Sequence, residues 1–140
     1  MEDRRLILVG CVKSKASQAA PAKDLYNSTL WSKRRRYAEL SGMPWAILSA
    51  EHGMVDPNEV LEPYDRYLGR EPTSFRRRWS AKTASQVLDK TSELGLTAVE
   101  IHAGAPYVEN GLRTRLESTG ITVHWPVEGM RFGTQLAWYQ

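Results

Sequence analysis

Four short segments of this 140-residue chain carry side chains with the types and spacing that chemistry needs. The first holds Cys11, Lys13, Ser14 and Lys15: one thiol, one hydroxyl and two ammonium groups within five residues. Neighbouring cations favour a thiolate, so Cys11 is a candidate nucleophile. A lone cysteine just past a buried strand also serves as a small packing residue. Lys13 and Lys15 alternate, so in an extended segment both point one way, toward a phosphate or carboxylate, with Ser14 between them. The second segment holds Glu51 and His52, where a carboxylate orients a water and an imidazole donates to a leaving group. The same pair would also suit bracing of a loop. The third holds His102, Gly104 and Tyr107, and the fourth Glu128, Gly129, Met130 and Arg131. His102 falls inside an apolar run and reads as a satisfied interior histidine.

Two loops rich in tyrosine stand beside these segments. Tyr26, Tyr64 and Tyr107 would line a slot for a flat heterocycle, with Asp24 or Asp65 reading its edge or positioning a water. The competing reading is that each tyrosine pins its loop to the core. The His, Cys, Asp and Glu residues do not fall at metal-ligand spacing, so no metal is expected. The chain also lacks a Walker-type phosphate loop, a G-x-G-x-x-G dinucleotide fingerprint and a G-x-S-x-G nucleophile elbow. No cofactor is expected either.

Those segments need a scaffold, and the apolar pattern supplies one. Strands are expected over 6–11, 45–50, 98–103 and 121–127. Helices are expected over about 29–41, capped by Ser28, with Leu30, Trp31, Tyr37, Ala38 and Leu40 at near-helical spacing, and over 73–94. The second carries Phe75, Trp79, Ala84, Val87, Leu88 and Leu94 inward. A third begins near Pro106, with Val108, Leu112 and Leu116 on its inner face, and a last short one covers about 132–139. Alternating strands and helices indicate one α/β domain over 1–140. The expected architecture is a three-layer α/β/α sandwich on a four-stranded parallel sheet, ordered 2-1-3-4. In that order the four chemical segments meet at the carboxyl ends of the strands. The connection over 51–72 is long enough to be functional or to hold a short helix.

Composition narrows the setting. With 41% hydrophobic and 25% charged residues the chain reads as soluble and globular, and one cysteine excludes an internal disulfide framework. No apolar run is long enough to span a bilayer, and the first residues lack a signal-peptide core, so the expected location is the cytoplasm. A net charge of +3 is mild, but Lys33, Arg34, Arg35 and Arg36, and then Arg76, Arg77 and Arg78, are dense clusters. They read either as phosphate contacts or as solvated helix faces.

Several segments together resemble a family of small bacterial and phage proteins of unknown function. They are residues 9–15 (Val-Gly-Cys-Val-Lys-Ser-Lys), 21–28 (Pro-Ala-Lys-Asp-Leu-Tyr-Asn-Ser), 45–54 (Trp-Ala-Ile-Leu-Ser-Ala-Glu-His-Gly-Met) and 63–65 (Pro-Tyr-Asp). Ala103, Gly104 and Tyr107, with Pro126, Gly129, Gly133, Leu136 and Trp138, extend the likeness over nearly the whole chain. The inferred sheet is also distantly similar to the uracil-DNA glycosylase superfamily. That superfamily places a water-activating Asp or Asn after strand 1 and often a His after strand 4. Here those loops hold Cys11 and Lys15, and Glu128 and Arg131, so its activity does not transfer on residues.

The expected function is therefore an enzyme acting on a nucleobase, nucleotide or nucleic acid, cleaving or remodelling an N-glycosidic bond. Cys11, Glu51, His52 and Asp65 are the catalytic candidates. Lys13, Ser14, Lys15, Tyr26, Tyr64, Gly104, Tyr107, Gly129 and Arg131 are the binding candidates. The alternative is a non-catalytic nucleic-acid-binding protein using its basic helix faces.

Overall fold

The computed structural model describes residues 4–12 and 15–139. Lys13 and Ser14 lie outside the described residues. Strand β1 (Leu6–Gly10) is buried at every position, as an apolar run flanked by strands on both sides must be. A short strand β2 (Ala20–Pro21) runs into a one-turn helix α1 (Ala22–Leu25). Helix α2 (Thr29–Leu40) follows, and its cap forms as expected: Trp31 N donates to Ser28 Oγ at 3.0 Å. Strand β3 (Trp45–Ser49) lies parallel to β1 with Gly10 opposite Leu48.

The chain then departs from the expected four-stranded parallel sheet. Instead of leaving the sheet after β3, it turns back at once and β4 (Gly53–Val55) pairs antiparallel with β3. The reversal needs Gly53, whose φ is +81° and whose missing Cβ would lie 2.2 Å from Gln86 Oε1. Glu51 and His52 are thus hairpin-turn residues. The rest of the long connection holds β5 (Val60–Leu61), which pairs with β2 in a separate two-stranded sheet, and a 3₁₀ turn at Leu68–Arg70.

Helix α3 (Thr73–Leu94) buries Trp79, Ala84 and Val87 and stops at Gly95 in the left-handed conformation. Its expected inner face is narrower than the spacing suggested, because Leu94 is exposed. Strand β6 (Ala98–His102) pairs parallel with β1 on the side away from β3. The third expected helix is broken at Gly111 into α4 (Ala105–Val108) and α5 (Leu112–Glu117). Val108, Leu112 and Leu116 are nonetheless all buried. Strand β7 (Thr122–His124) is shorter than its apolar run and pairs parallel with β6, and α6 (Phe132–Trp138) closes the chain.

The result is a mixed α/β fold with a mostly parallel five-stranded sheet in the order β4-β3-β1-β6-β7. β1 lies at its centre, between β3 and β6. Open sheets bind ligands where neighbouring strands diverge in this way, beyond their carboxyl ends. In this sheet those ends are the ends of β1 and β6.

Candidate active site at the ends of β1 and β6

β1 and β6 approach each other unusually closely where they end. A Cβ on Gly10 would stand 2.7 Å from Ala103 Cβ, so only glycine fits. Cys11 follows, and its backbone N–H donates to Leu48 O at 2.9 Å, which holds the thiol at the strand mouth. Cys11 Sγ lies 3.1 Å from the Tyr107 hydroxyl. Tyr107 is fixed from behind by an edge-on contact with Trp79 at 5.4 Å, and Trp79 Nε1 donates to Ser49 O at 2.8 Å. Burial raises the pKa of Tyr107, and Cys11 adds to the effect, so the phenol keeps its proton at neutral pH.

A second tyrosine group adjoins the thiol. The Tyr26 and Tyr64 hydroxyls meet at 2.6 Å, and Ser49 Oγ donates to Tyr64 at 2.9 Å. Burial raises the pKa of both phenols, with Cys11 close to each. Their rings stand edge to face at 6.3 Å, and Tyr26 packs on Trp31 at 5.1 Å. This corrects the expected slot: hydroxyls joined tip to tip leave no parallel faces for a heterocycle. The Lys15 ammonium lies 4.4 Å from the centre of the Tyr64 ring. Burial lowers the Lys15 pKa, opposed by Cys11 and Asp65.

Arg34 completes the arrangement, and sequence reasoning missed it. Within a basic run it read as a solvated or phosphate-facing charge, yet it is only 4% exposed. Its position was legible in one respect: it lies four residues from both Leu30 and Ala38, on the buried face of α2. Arg34 Nη1 donates to Gly10 O at 3.1 Å, and Nη2 donates to Gln135 Oε1 at 2.9 Å. Burial lowers its pKa, opposed by the nearby Tyr139, Cys11 and Tyr107. Its neighbour Arg35 is held by Asp24 at 2.7 Å and Glu39 at 3.3 Å, so the basic run is not one charged face.

Cys11, Ser28, Arg34, Tyr67, Tyr107 and Phe132 line a cleft of about 470 Å³, with Gly104 on its rim. That volume suits a small organic ligand. Grooves of about 530 and 590 Å³ run along α2, but neither contains the thiol or the buried guanidinium. The thiol and the buried guanidinium meet in the 470 Å³ cleft.

The other expected site residues scatter. Glu51 is drawn into an ion pair with Arg66 at 2.8 Å and lines a different groove with Phe75 and Lys82. The His52 ring stands edge-on to Tyr64 at 5.7 Å, beside the tyrosine group. Asp65 is exposed, near Lys15. Gly129 and Arg131 are exposed in the turn before α6, where Glu128 meets Arg113 at 3.3 Å. Tyr67, Phe132 and Gln135 join the cleft without having been singled out. Tyr67 and Phe132 offered only their aromatic type, and nothing in the sequence tied them to Cys11.

Among the described residues, no three His, Cys, Asp or Glu side chains are grouped to hold a metal ion. No helix among them is long and apolar enough to cross a membrane. The molecule is thus an α/β protein with a largely apolar cleft, carrying Cys11, Tyr107 and Arg34, at the carboxyl ends of two neighbouring parallel strands. Residues 6–140 match a family of unknown function (DUF6884), and the chain belongs to that family. No curated protein and no solved structure matches the chain.

Proposed function

We propose that the protein is an enzyme acting on a nucleobase or nucleotide, free or within nucleic acid, and that it cleaves or remodels an N-glycosidic bond in the Cys11 cleft. The observation that carries this reading is the lining of that cleft. Tyr67 and Phe132 offer flat walls for a base, while Cys11, Tyr107 and Arg34 bring a thiol, a protonated phenol and a cation to one end. In hydrolysis, water adds at the anomeric carbon and the base departs with a proton. A phenol that stays protonated at neutral pH is suited to donate a hydrogen bond to the departing base, which takes its proton from the attacking water. His52 and Asp65 lie near Tyr64 and Lys15 and do not line this cleft.

A non-catalytic nucleic-acid binder is less well supported. Arg34 is internal and Arg35 is paired with carboxylates, so the first basic run offers fewer charges to a phosphate backbone. The deciding experiment incubates the protein with nucleosides, nucleotides, DNA and RNA and follows released base by mass spectrometry. Release is expected from at least one substrate. Tyr107→Phe is expected to slow it by about 100-fold without shifting the urea midpoint appreciably. No release from any substrate would reject the enzymatic reading.

A further inference from the structure

Among the described residues, Arg34 is a buried cation without a carboxylate beside it. Its hydrogen bonds go to Gly10 O and Gln135 Oε1, both neutral acceptors, and the Tyr139 hydroxyl is its other close polar neighbour. Its Nε, also buried, has no hydrogen-bond partner. The buried carboxylate of β6, Glu100, is already engaged by Arg5, Tyr37 and His102. A guanidinium carries five N–H donors in a planar fork that fits the oxygens of phosphate two at a time. Burying such a charge among neutral groups is unfavourable unless an anion joins it. Arg34 lines the same cleft as Cys11, Tyr67 and Phe132.

We infer that Arg34 is the phosphate anchor of this cleft, so that its substrate is a phosphorylated nucleotide and not a neutral nucleoside or free base. The inference rests on the nucleotide reading above and narrows it. It also moves the phosphate from Lys13 and Lys15 to a residue on α2. In that arrangement the phosphate sits at the Gly10 end of β1, and the base lies outward between Tyr67 and Phe132. Ser28, which caps α2 and lines the cleft, is placed to donate its hydroxyl to the same group.

The test is calorimetric titration of the full chain with the common nucleoside 5′-monophosphates, their parent nucleosides and inorganic phosphate. At least one monophosphate is expected to bind about tenfold or more tightly than its nucleoside, with inorganic phosphate competing against it. Arg34→Lys keeps the charge but loses the fork. It is expected to weaken the monophosphate by about tenfold and leave the nucleoside unchanged. Equal affinity for nucleoside and monophosphate would overturn the inference while leaving the nucleotide reading standing. Binding of neither, together with no base released from DNA or RNA, would reject both. The comparison of charged and neutral ligands needs only the unmodified protein, so a variant that fails to fold does not remove the test. A strong thiolate absorbance at 240 nm with no preference for phosphate would also overturn it, because Cys11 would then be the counter-charge.

Discussion

Two buried ions stand near each other in this molecule, and they are treated in opposite ways. Glu100 on β6 receives Arg5 Nη1 at 3.1 Å, His102 Nε2 at 2.7 Å and the Tyr37 hydroxyl. Burial works against its charge, yet those hydrogen bonds and the Arg5 charge bring its carboxyl down to about 2. Arg34 on α2 receives only neutral partners and keeps an unpaired Nε. His102 and Tyr139 connect the two. A carboxylate only accepts, so His102 Nε2 carries the hydrogen toward Glu100, and in the neutral ring Nδ1 accepts from Tyr139 at 2.8 Å. Tyr139 in turn lies beside Arg34. A buried ion with all its partners present belongs to the scaffold. One left short of partners, at the inner end of a cleft, is the group we propose for the site.

The sharpest way to break this contrast is to remove each charge in turn. Glu100→Gln leaves Arg5 and His102 facing a neutral amide, and is expected to cost about 4 kcal/mol in urea unfolding. Arg34→Met sheds the burial of a charge but strips two carbonyl acceptors of their donors. These effects oppose, and the net change is expected within about 1 kcal/mol. Comparable losses from both variants would mean that Arg34 is as structural as Glu100.

A second, smaller effect is expected with acid. The Glu100 carboxyl sits at about 2 in the folded chain against 4.5 for the isolated group. A folded-state pKa below the unfolded one stabilises the protein fully above the unfolded value, and the gain disappears as pH falls toward 2. That difference corresponds to about 3 kcal/mol lost between roughly pH 5 and pH 2. Urea midpoints across that range should fall steeply for the unmodified chain and less steeply for Glu100→Gln. Parallel curves would assign the acid loss to other carboxylates.

What the sequence made legible follows from the range of the forces involved. Local signals placed Ser28 as a cap, the end of the long helix at residue 94 and the apolar runs of β1, β3 and β6, because each rests on neighbours within a turn or a strand. The hairpin at Gly53 escaped because the glycine answers to Gln86, more than thirty residues away. Cys11 and Tyr107 were both singled out and do meet. Glu51 was singled out for its type but turned toward Arg66, a partner that spacing does not reveal. Arg34 was hidden by its company. In a run of four basic residues the natural reading is solvent, and only its spacing from Leu30 and Ala38 pointed inward. Leu40, six residues on and about 120° around the helix from Arg34, is 74% exposed although its apolar type suggested the inner face.

The finest test concerns the link between the two ions. Burial raises the pKa of Tyr139 to about 12, against the pull of Arg34, so its hydroxyl remains available to bridge at neutral pH. Tyr139→Phe removes that hydroxyl and keeps the ring packed on Tyr37 at 5.9 Å and His102 at 5.6 Å. It is expected to cost about 1 kcal/mol, the net worth of one hydrogen bond. The informative quantity is its coupling to the ions in double-mutant cycles. If Glu100 and His102 are a closed structural unit, Tyr139→Phe couples measurably to Glu100→Gln through the imidazole. If Arg34 belongs to the cleft, the same change alters nucleotide affinity only slightly, because Gly10 O and Gln135 still orient the guanidinium. A large loss of affinity with no coupling to Glu100 would reverse the assignment. Tyr139 would then serve the cleft, and the boundary between scaffold and site would run through His102.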